Sequence, residues 1–287
     1  TGEAVAVSCR ENCPESVDLY YRVASWNNAR WLGIKNDDRI GQFHPDMSPE
    51  ELRINASLND VACAFDREVF LRFGYRFGYA EDLDLGVRLI KNGLPIKILH
   101  EPTIIHGHSR SAWYYLKRGC VEARALKGIM NMPQASSSAQ MVANMLLPGF
   151  IVIRNTLAEI NRMNFTSPLE YARSFRIILG RQMTEKRTEF TEGWTDDAEI
   201  VEFLNTFSSN LNHVSMSNMN VVESVQYYVD TILVQYLKEI GWQMEGLSHS
   251  MCDCVYKQLA LIAGCVVAEL DSNDQIYGEI NEYMKGV

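Results

Sequence analysis

Two hydrophobic patterns divide the chain. Up to about residue 106, apolar residues come in short runs separated by turns. Beyond Ser109 they recur every three or four residues. Glu3 to Ser8 alternates small apolar residues in the manner of an interior strand. Asp18 to Trp31 predicts a helix, with Leu19, Val23, Trp26, Ala29 and Arg30 at helical spacing. Gly33 to Pro49 reads as a loop, because Asn36-Asp37-Asp38, Gly41, Pro45 and Pro49 punctuate it. Asn59 to Phe65 predicts a short strand, and Asp66 then caps a helix that starts at Arg67. Gly74 to Tyr79 is an aromatic, glycine-rich turn. Glu81 to Asn92 is amphipathic, with Leu83, Val87 and Ile90 on one face, and ends at Asn92-Gly93. Strands are predicted at 95–100 and 103–106. This order of strand, helix and strand predicts an α/β sheet layer.

The second pattern predicts helices near 111–130, 139–163, 167–187, 197–212, 221–245 and 249–270. Leu233, Leu237, Ile240 and Met244 form the clearest apolar stripe. Ser136 to Ser138, Thr191 to Asp197 and Asn210 to Asn220 read as loops, and Met216 and Met219 as packing residues. The change of pattern near Pro133 divides the chain into an α/β domain, 1–133, and a mostly α-helical C-terminal domain, 134–287. No repeat of 20–50 residues is visible.

Composition narrows the function. The 287 residues are 47% hydrophobic and carry 27 Lys and Arg against 36 Asp and Glu, a net charge of −9. That disfavours a nucleic-acid binder, which needs a basic surface to neutralise phosphates. The seven cysteines include no CxxC pair, so they read as thiols of a reducing compartment. Cys252 and Cys254, one residue apart, are the only pair suggesting redox chemistry. Thr1-Gly2-Glu3 does not read as a signal peptide. No apolar stretch reaches the roughly 18–20 residues of a bilayer span. The longest, Met145 to Ile153, ends at Arg154 and reads as core or as a membrane-surface contact. Cytoplasmic placement, or the inner face of a membrane, follows. Asn55-Ala56-Ser57 and Asn164-Phe165-Thr166 match the glycosylation pattern and carry little weight without a secretion signal.

The chemistry concentrates between Asn59 and Gly119. Glu81, Asp82 and Asp84 place three carboxylates in the first turn of one helix. The helix dipole alone favours them there. Alternatively one of them projects into a cleft as a general base toward an alcohol. His106 and His108 follow a strand end, either as ordinary loop histidines or as a metal or phosphate contact. Tyr75, Phe77 and Tyr79 flank the acids and suit contact with an acceptor. Trp26 and Trp31 read as helix core, with sugar stacking as the alternative. Arg110 and Arg118 are candidate phosphate contacts.

The run Asn59-Asp60-Val61-Ala62-Cys63-Ala64-Phe65-Asp66-Arg67-Glu68-Val69-Phe70 is followed by Phe73-Gly74, Glu81-Asp82-Leu83-Asp84-Leu85-Gly86-Val87-Arg88-Leu89, Asn92-Gly93 and His106. This order resembles the C-terminal half of the GT-A catalytic domain of family-2 glycosyltransferases, over about residues 3–130. The resemblance implies a partial GT-A, Rossmann-like sheet and an inverting transfer of a hexosyl unit from a nucleotide-diphosphate sugar to a hydroxyl acceptor. By that resemblance Asp82 is the catalytic base, with Glu81 and Asp84 shaping the site. His106 contacts the metal or the diphosphate, with Arg118 beside the donor. Tyr75, Tyr79 and Trp113 face the acceptor. The implied cofactor is a divalent metal, Mn²⁺ or Mg²⁺. The implied partners are a nucleotide-sugar donor and a saccharide or lipid-linked acceptor of polysaccharide biosynthesis. A homo-oligomer and a peripheral membrane contact stay open for the helical region.

In that family the nucleotide-binding half, ending in an Asp-x-Asp motif that holds the metal, precedes the strand resembled by Glu3 to Ser8. Asp82-Leu83-Asp84 sits in the base region and Asp271-Ser272-Asn273-Asp274 in the helical tail, so neither replaces it. The chain therefore reads as a fragment of a longer enzyme. The alternative is a non-catalytic interaction or scaffold protein built on a remnant of the domain.

Overall fold

The computed structural model describes residues 3–76, 78–133, 136–185, 198–208, 220–241 and 247–287. Phe77, the predicted loop at Thr191 to Asp197, most of the loop from Asn210, Met216, Met219 and Met244 lie outside the described residues. The architecture is an α/β layer built on a small mixed sheet, followed by a helical region.

The chain divides into two compact units. One comprises Thr1–Val17, Ala24–His108 and Arg124–Pro133, and the other Asp18–Val23, Ser109–Ala123 and Gln134–Val287. The expected cut at 133/134 is therefore one of several crossings. Asp18–Val23 and Ser109–Ala123 group with the helices because their side chains are engaged there: Lys257 binds the Asp18 carboxylate at 3.0 Å.

In the sheet unit, β1 (Ala6–Asn12), β2 (Arg39–Gly41), β3 (Cys63–Phe65) and β4 (Ile96–Ile105) run in the order β2-β4-β1-β3. β1 and β4 are parallel, pairing Ala6 with Ile96 and Ser8 with Ile98. β2 and β3 flank them antiparallel, Ser8 lying opposite Cys63. β4 continues through the region predicted as two strands, with a register shift between Cys9 and Glu11. The helices contributing to this unit are α1 (Leu19–Trp31, from Ala24 on), α2 (Pro49–Ala56), α3 (Arg67–Phe73), α4 (Glu81–Lys91) and the end of α5 (Ala112–Ile129). α2 lies in the stretch predicted as loop. Its start is a capping box, with Ser48 and Glu51 bonding each other's backbone N–H groups and Pro49 in the first turn.

One core joins Ala6, Leu52, Ala56, Leu83, Leu85, Leu89, Ile90 and Ile96 between the sheet and helices α2 and α4. Gly86 allows the two helices to approach: a Cβ there would lie 1.8 Å from the Ala56 carbonyl oxygen. A second cluster packs Ala29, Leu32 and Ile34 on Ile98.

The helical unit contains α6 (Ala139–Ile160), α7 (Pro168–Glu185), α8 (Ala198–Ser208), α9 (Asn220–Tyr227), α10 (Val234–Ile240), α11 (Leu247–Val267) and α12 (Tyr277–Tyr283), with a π-helical stretch, Tyr228–Leu233, joining α9 to α10. α6 packs against α7, α8, α9 and α11. α6 and α11 correct the sequence expectation about bilayer length. Each holds an 18-residue window of mean hydropathy 1.4, long and apolar enough by length and composition to cross a membrane. Of those windows 83% and 61% are buried inside the fold, as in core helices. The seven cysteines are all free thiols. Burial pushes the Cys252 thiol up to about 12 and the Cys254 thiol higher still, and Tyr171 and Tyr228 hydroxyls lie 3.8 and 3.2 Å from them. Protonated thiols are poor nucleophiles, which argues against the redox reading of this pair.

Candidate functional site

The predicted motif folds into a strand, a helix, a turn and a second helix. Asn59 begins it: its side-chain oxygen accepts from Val61 N–H at 3.1 Å, and its amide donates to Glu11 at 2.9 Å. This places Asp60 beside the C-terminal half of β1. Asp66 caps α3 by accepting from Val69 N–H at 2.9 Å.

α3 ends at Gly74, and the turn to α4 is then fixed by Arg88. Its guanidinium donates to the Phe73 and Gly74 carbonyls at 2.7 Å each and to Asp84 at 2.8 Å. Those carbonyls belong to the helix end that lacks intrahelical partners. A planar five-donor group suits such a fork. The turn closes on Ala80, a left-handed residue (φ 58°, ψ 41°) that starts α4 without a side-chain cap. A non-glycine residue in that region stores strain on the order of 1 kcal/mol.

Directly after it stand the three carboxylates, and the structure separates their tasks. Asp84 is engaged with Arg88 and faces Arg76 at 3.8 Å. It holds the turn in place. The Asp82 carboxylate accepts from the Leu83 N–H at 2.7 Å and from its own backbone N–H. Burial is the main reason its pKa is pushed up to about 6, and the charges of Asp60 and Glu81 add to the rise. Near neutral pH it is ionised but only weakly stabilised as an anion, which is the condition of a general base. The Cys63 thiol is pushed up to about 12, chiefly by burial and in part by the charge of Asp82.

Tyr75 stands next to this group. Its ring meets Phe70 and Phe65 at centroid distances of 5.5 and 6.1 Å, and the residue remains 41% exposed. Burial first, then the charges of Cys63, Asp60, Asp82 and Glu81, push its phenol up to about 12. Tyr79 is half-buried in the same turn.

The other predicted site residues lie elsewhere. His106 extends the β1–β4 pairing by donating its N–H to the Asn12 carbonyl at 3.1 Å, and its ring packs on His108 at 4.6 Å. Cys63 is level with Ser8, four residues earlier on β1, so about 13 Å of strand separates the level of Cys63 from that of His106. Only the level of His106 and Asn12 is at the carboxyl end of β1, where ligands of open α/β sheets bind; Ser8 is the third residue of that strand. Trp113 and Arg118 belong to the helical unit. Trp113 packs on Phe203 and Tyr283 at 5.5 and 6.2 Å, and Arg118 reaches Glu122 at 3.5 Å. Trp26 carries the Arg30 guanidinium over its ring, and Trp31 that of Arg53.

The metal expected at His106 finds no complete ligand set here. Among the described residues, no three His, Cys, Asp or Glu side chains converge where a cation could sit. His106 and His108 are two, so further ligands would have to come from outside the described residues.

Two residues escaped sequence reading. Asp60 stood inside the motif without a role, and only the packing of the turn beside β1 brings its charge to Asp82. Ser8 is buried, its hydroxyl without a hydrogen-bond partner among the described residues. In an antiparallel pair, opposite residues share a face, so it lies on the face of Cys63. No protein-family model, curated protein or solved structure matches this chain.

Proposed function

We propose that the chain provides the acceptor side and the catalytic base of an inverting glycosyltransferase using a nucleotide-diphosphate sugar. One observation carries the reading: Asp82, a desolvated carboxylate without a cationic partner among the described residues, opens α4 in the same motif as the exposed Tyr75. The resemblance of the surrounding motif to GT-A enzymes of family 2 supports it.

In this reading the acceptor hydroxyl approaches Asp82, which takes its proton as the oxygen attacks the anomeric carbon. The bond to the diphosphate breaks in the same displacement, and the anomeric configuration inverts. Asp84 and Arg88 hold the turn that carries Tyr75, so that the acceptor ring and the base keep their spacing. Donor contacts and a divalent ion at His106 belong to the proposal, and no step here depends on them. Placement at the inner face of a membrane, with a lipid-linked or free saccharide acceptor of polysaccharide biosynthesis, completes it.

The test is Asp82→Asn in the protein as encoded, assayed for sugar transfer. General-base removal predicts a loss of about 10²–10⁴ in kcat. Near-normal turnover would falsify the assignment.

A second reading, an interaction module, is favoured by Leu169 and Ile177, 55% and 66% exposed two turns apart on α7. It predicts a concentration-dependent oligomer in light scattering that Ile177→Glu dissolves. A monomer at all concentrations would speak against it.

A further inference from the structure

The apolar run Met145 to Ile153 is no membrane-surface contact, because Leu146 to Ile153 are buried along α6. The helical unit exposes apolar residues on α7 in another arrangement. Tyr171, Ala172, Phe175, Ile178 and Leu179 of α7 are buried, where the helix packs against α6 and α10. On the side left open, Leu169, Arg173 and Ile177 follow one another at four-residue spacing and so lie along one line of the helix. The connection leading into α7 exposes Arg162 and Met163.

Charge distinguishes this face from the rest of the chain, whose acids outnumber its bases 36 to 27. The exposed charged residues between Leu169 and Arg181 are Glu170 and three arginines. Arg176 is held by both carboxylate oxygens of Asp230 at 2.9 Å, and Arg181 by Glu159. Glu170 accepts from the N–H and the hydroxyl of Thr166 at 2.8 and 2.6 Å. Among the described residues no carboxylate forms an ion pair with Arg173. A free guanidinium thus stands between two exposed aliphatic side chains. Such a group lays its stem along apolar surface and carries its charge outward, where its planar fork matches a phosphate.

We infer that this face of α7 docks on an anionic phospholipid bilayer, with Leu169 and Ile177 entering the headgroup boundary and Arg173 holding a lipid phosphate between them. The inference gives the membrane placement proposed above a definite surface, and it does not depend on sugar transfer. The same two aliphatic residues underlie the oligomer reading, and Arg173 decides between the occupants. A two-fold contact centred on this line sets Arg173 against its own copy, whereas a layer of lipid phosphates neutralises it. The acidic remainder of the chain is repelled by the same surface, which leaves α7 as the side that approaches it.

Flotation of the whole chain with vesicles tests this, with phosphatidylcholine alone compared against its mixture with phosphatidylglycerol. Binding to the mixed vesicles is expected, weaker on phosphatidylcholine and released by salt. Arg173→Gln should weaken it about fivefold. Leu169→Ser/Ile177→Ser should weaken it about tenfold. Arg67→Gln makes the same change of charge at an exposed residue of the sheet unit, and should leave binding unchanged. No binding, binding indifferent to lipid charge, or an equal loss in Arg173→Gln and Arg67→Gln overturns the inference. So does a chain that ignores vesicles but forms a dimer that Ile177→Glu dissolves, since a second copy then covers the face. Sugar transfer that depends on Asp82 without vesicle binding leaves the function standing and removes only the docking surface. Vesicle binding without Asp82-dependent transfer does the reverse.

Discussion

Each unit buries a charge, and the two treat it in opposite ways. In the helical unit the Lys257 ammonium, 8% exposed, lies 3.0 Å from Asp18 and 2.8 Å from Asp253. Burial alone would lower its pKa, yet the two carboxylates leave it raised. In the sheet unit Asp82 is also withdrawn from water, and its electrostatic neighbours are further acids, so its pKa rises. The helical unit spends a buried charge on stability, whereas the sheet unit keeps one in a destabilised state. A desolvated carboxylate with no cationic partner among the described residues marks a candidate for chemistry.

The comparison predicts effects of opposite sign for removing each charge. Lys257→Met leaves Asp18 and Asp253 without their shared cation, and should cost about 3–5 kcal/mol in urea unfolding. Asp82→Asn should instead stabilise, by up to about 3 kcal/mol near neutral pH. The sign follows from proton binding. The folded state holds the Asp82 proton up to about pH 6, while the unfolded chain releases it near 3.8. Wild-type stability therefore declines as pH rises through that window, and the gain from Asn should vanish below pH 4. For Lys257 the raised pKa means its contribution is complete below the unfolded value of 10.5 and is lost as pH rises past the folded one. Equal signs for the two substitutions would break the contrast.

Smaller effects sharpen it. Gly86→Ala forces a Cβ against the Ala56 carbonyl in the sheet unit, and Gly264→Ala forces one to 1.9 Å from the Leu116 carbonyl in the helical unit. Each should cost about 1–3 kcal/mol. Gly180→Ala, with nothing within 4 Å, should be neutral or stabilise the helix by up to about 1 kcal/mol. Arg88→Lys keeps the charge but loses the fork. Amide exchange at residues 74–76 and 78–80 should quicken by about tenfold, with helix α4 beyond Leu85 unchanged. Ala80→Gly relieves the left-handed strain and should raise stability by about 0.5–1 kcal/mol.

The motif region was legible because its signals are local. Asp66 caps its helix, Asn92-Gly93 ends the next, and the period of Leu83, Val87 and Ile90 marks the buried face, as observed. β2 was invisible. It has three residues, and its pairing partner β4 begins more than fifty positions later, so no local period could reveal it. α2 hides in the sequence because Pro49 reads as a breaker, although Ser48 and Glu51 spell out a cap. The role of Asp60 depends on a fold contact, the binding of Asn59 to Glu11, which spacing does not encode. Trp113 and Arg118 sit close to the motif in sequence but are engaged in the helical unit by Phe203 and Glu122. Nearness along the chain was a poor guide for those two.

The most direct test is a carbon-13 NMR titration of the Asp82 carboxyl, assigned with Asp82→Asn. A midpoint near pH 6 is predicted, falling in Asp60→Asn as one contributing charge is removed. A midpoint at or below 4, unmoved by that substitution, would show a well-solvated or paired carboxylate and contradict its role as a poised base.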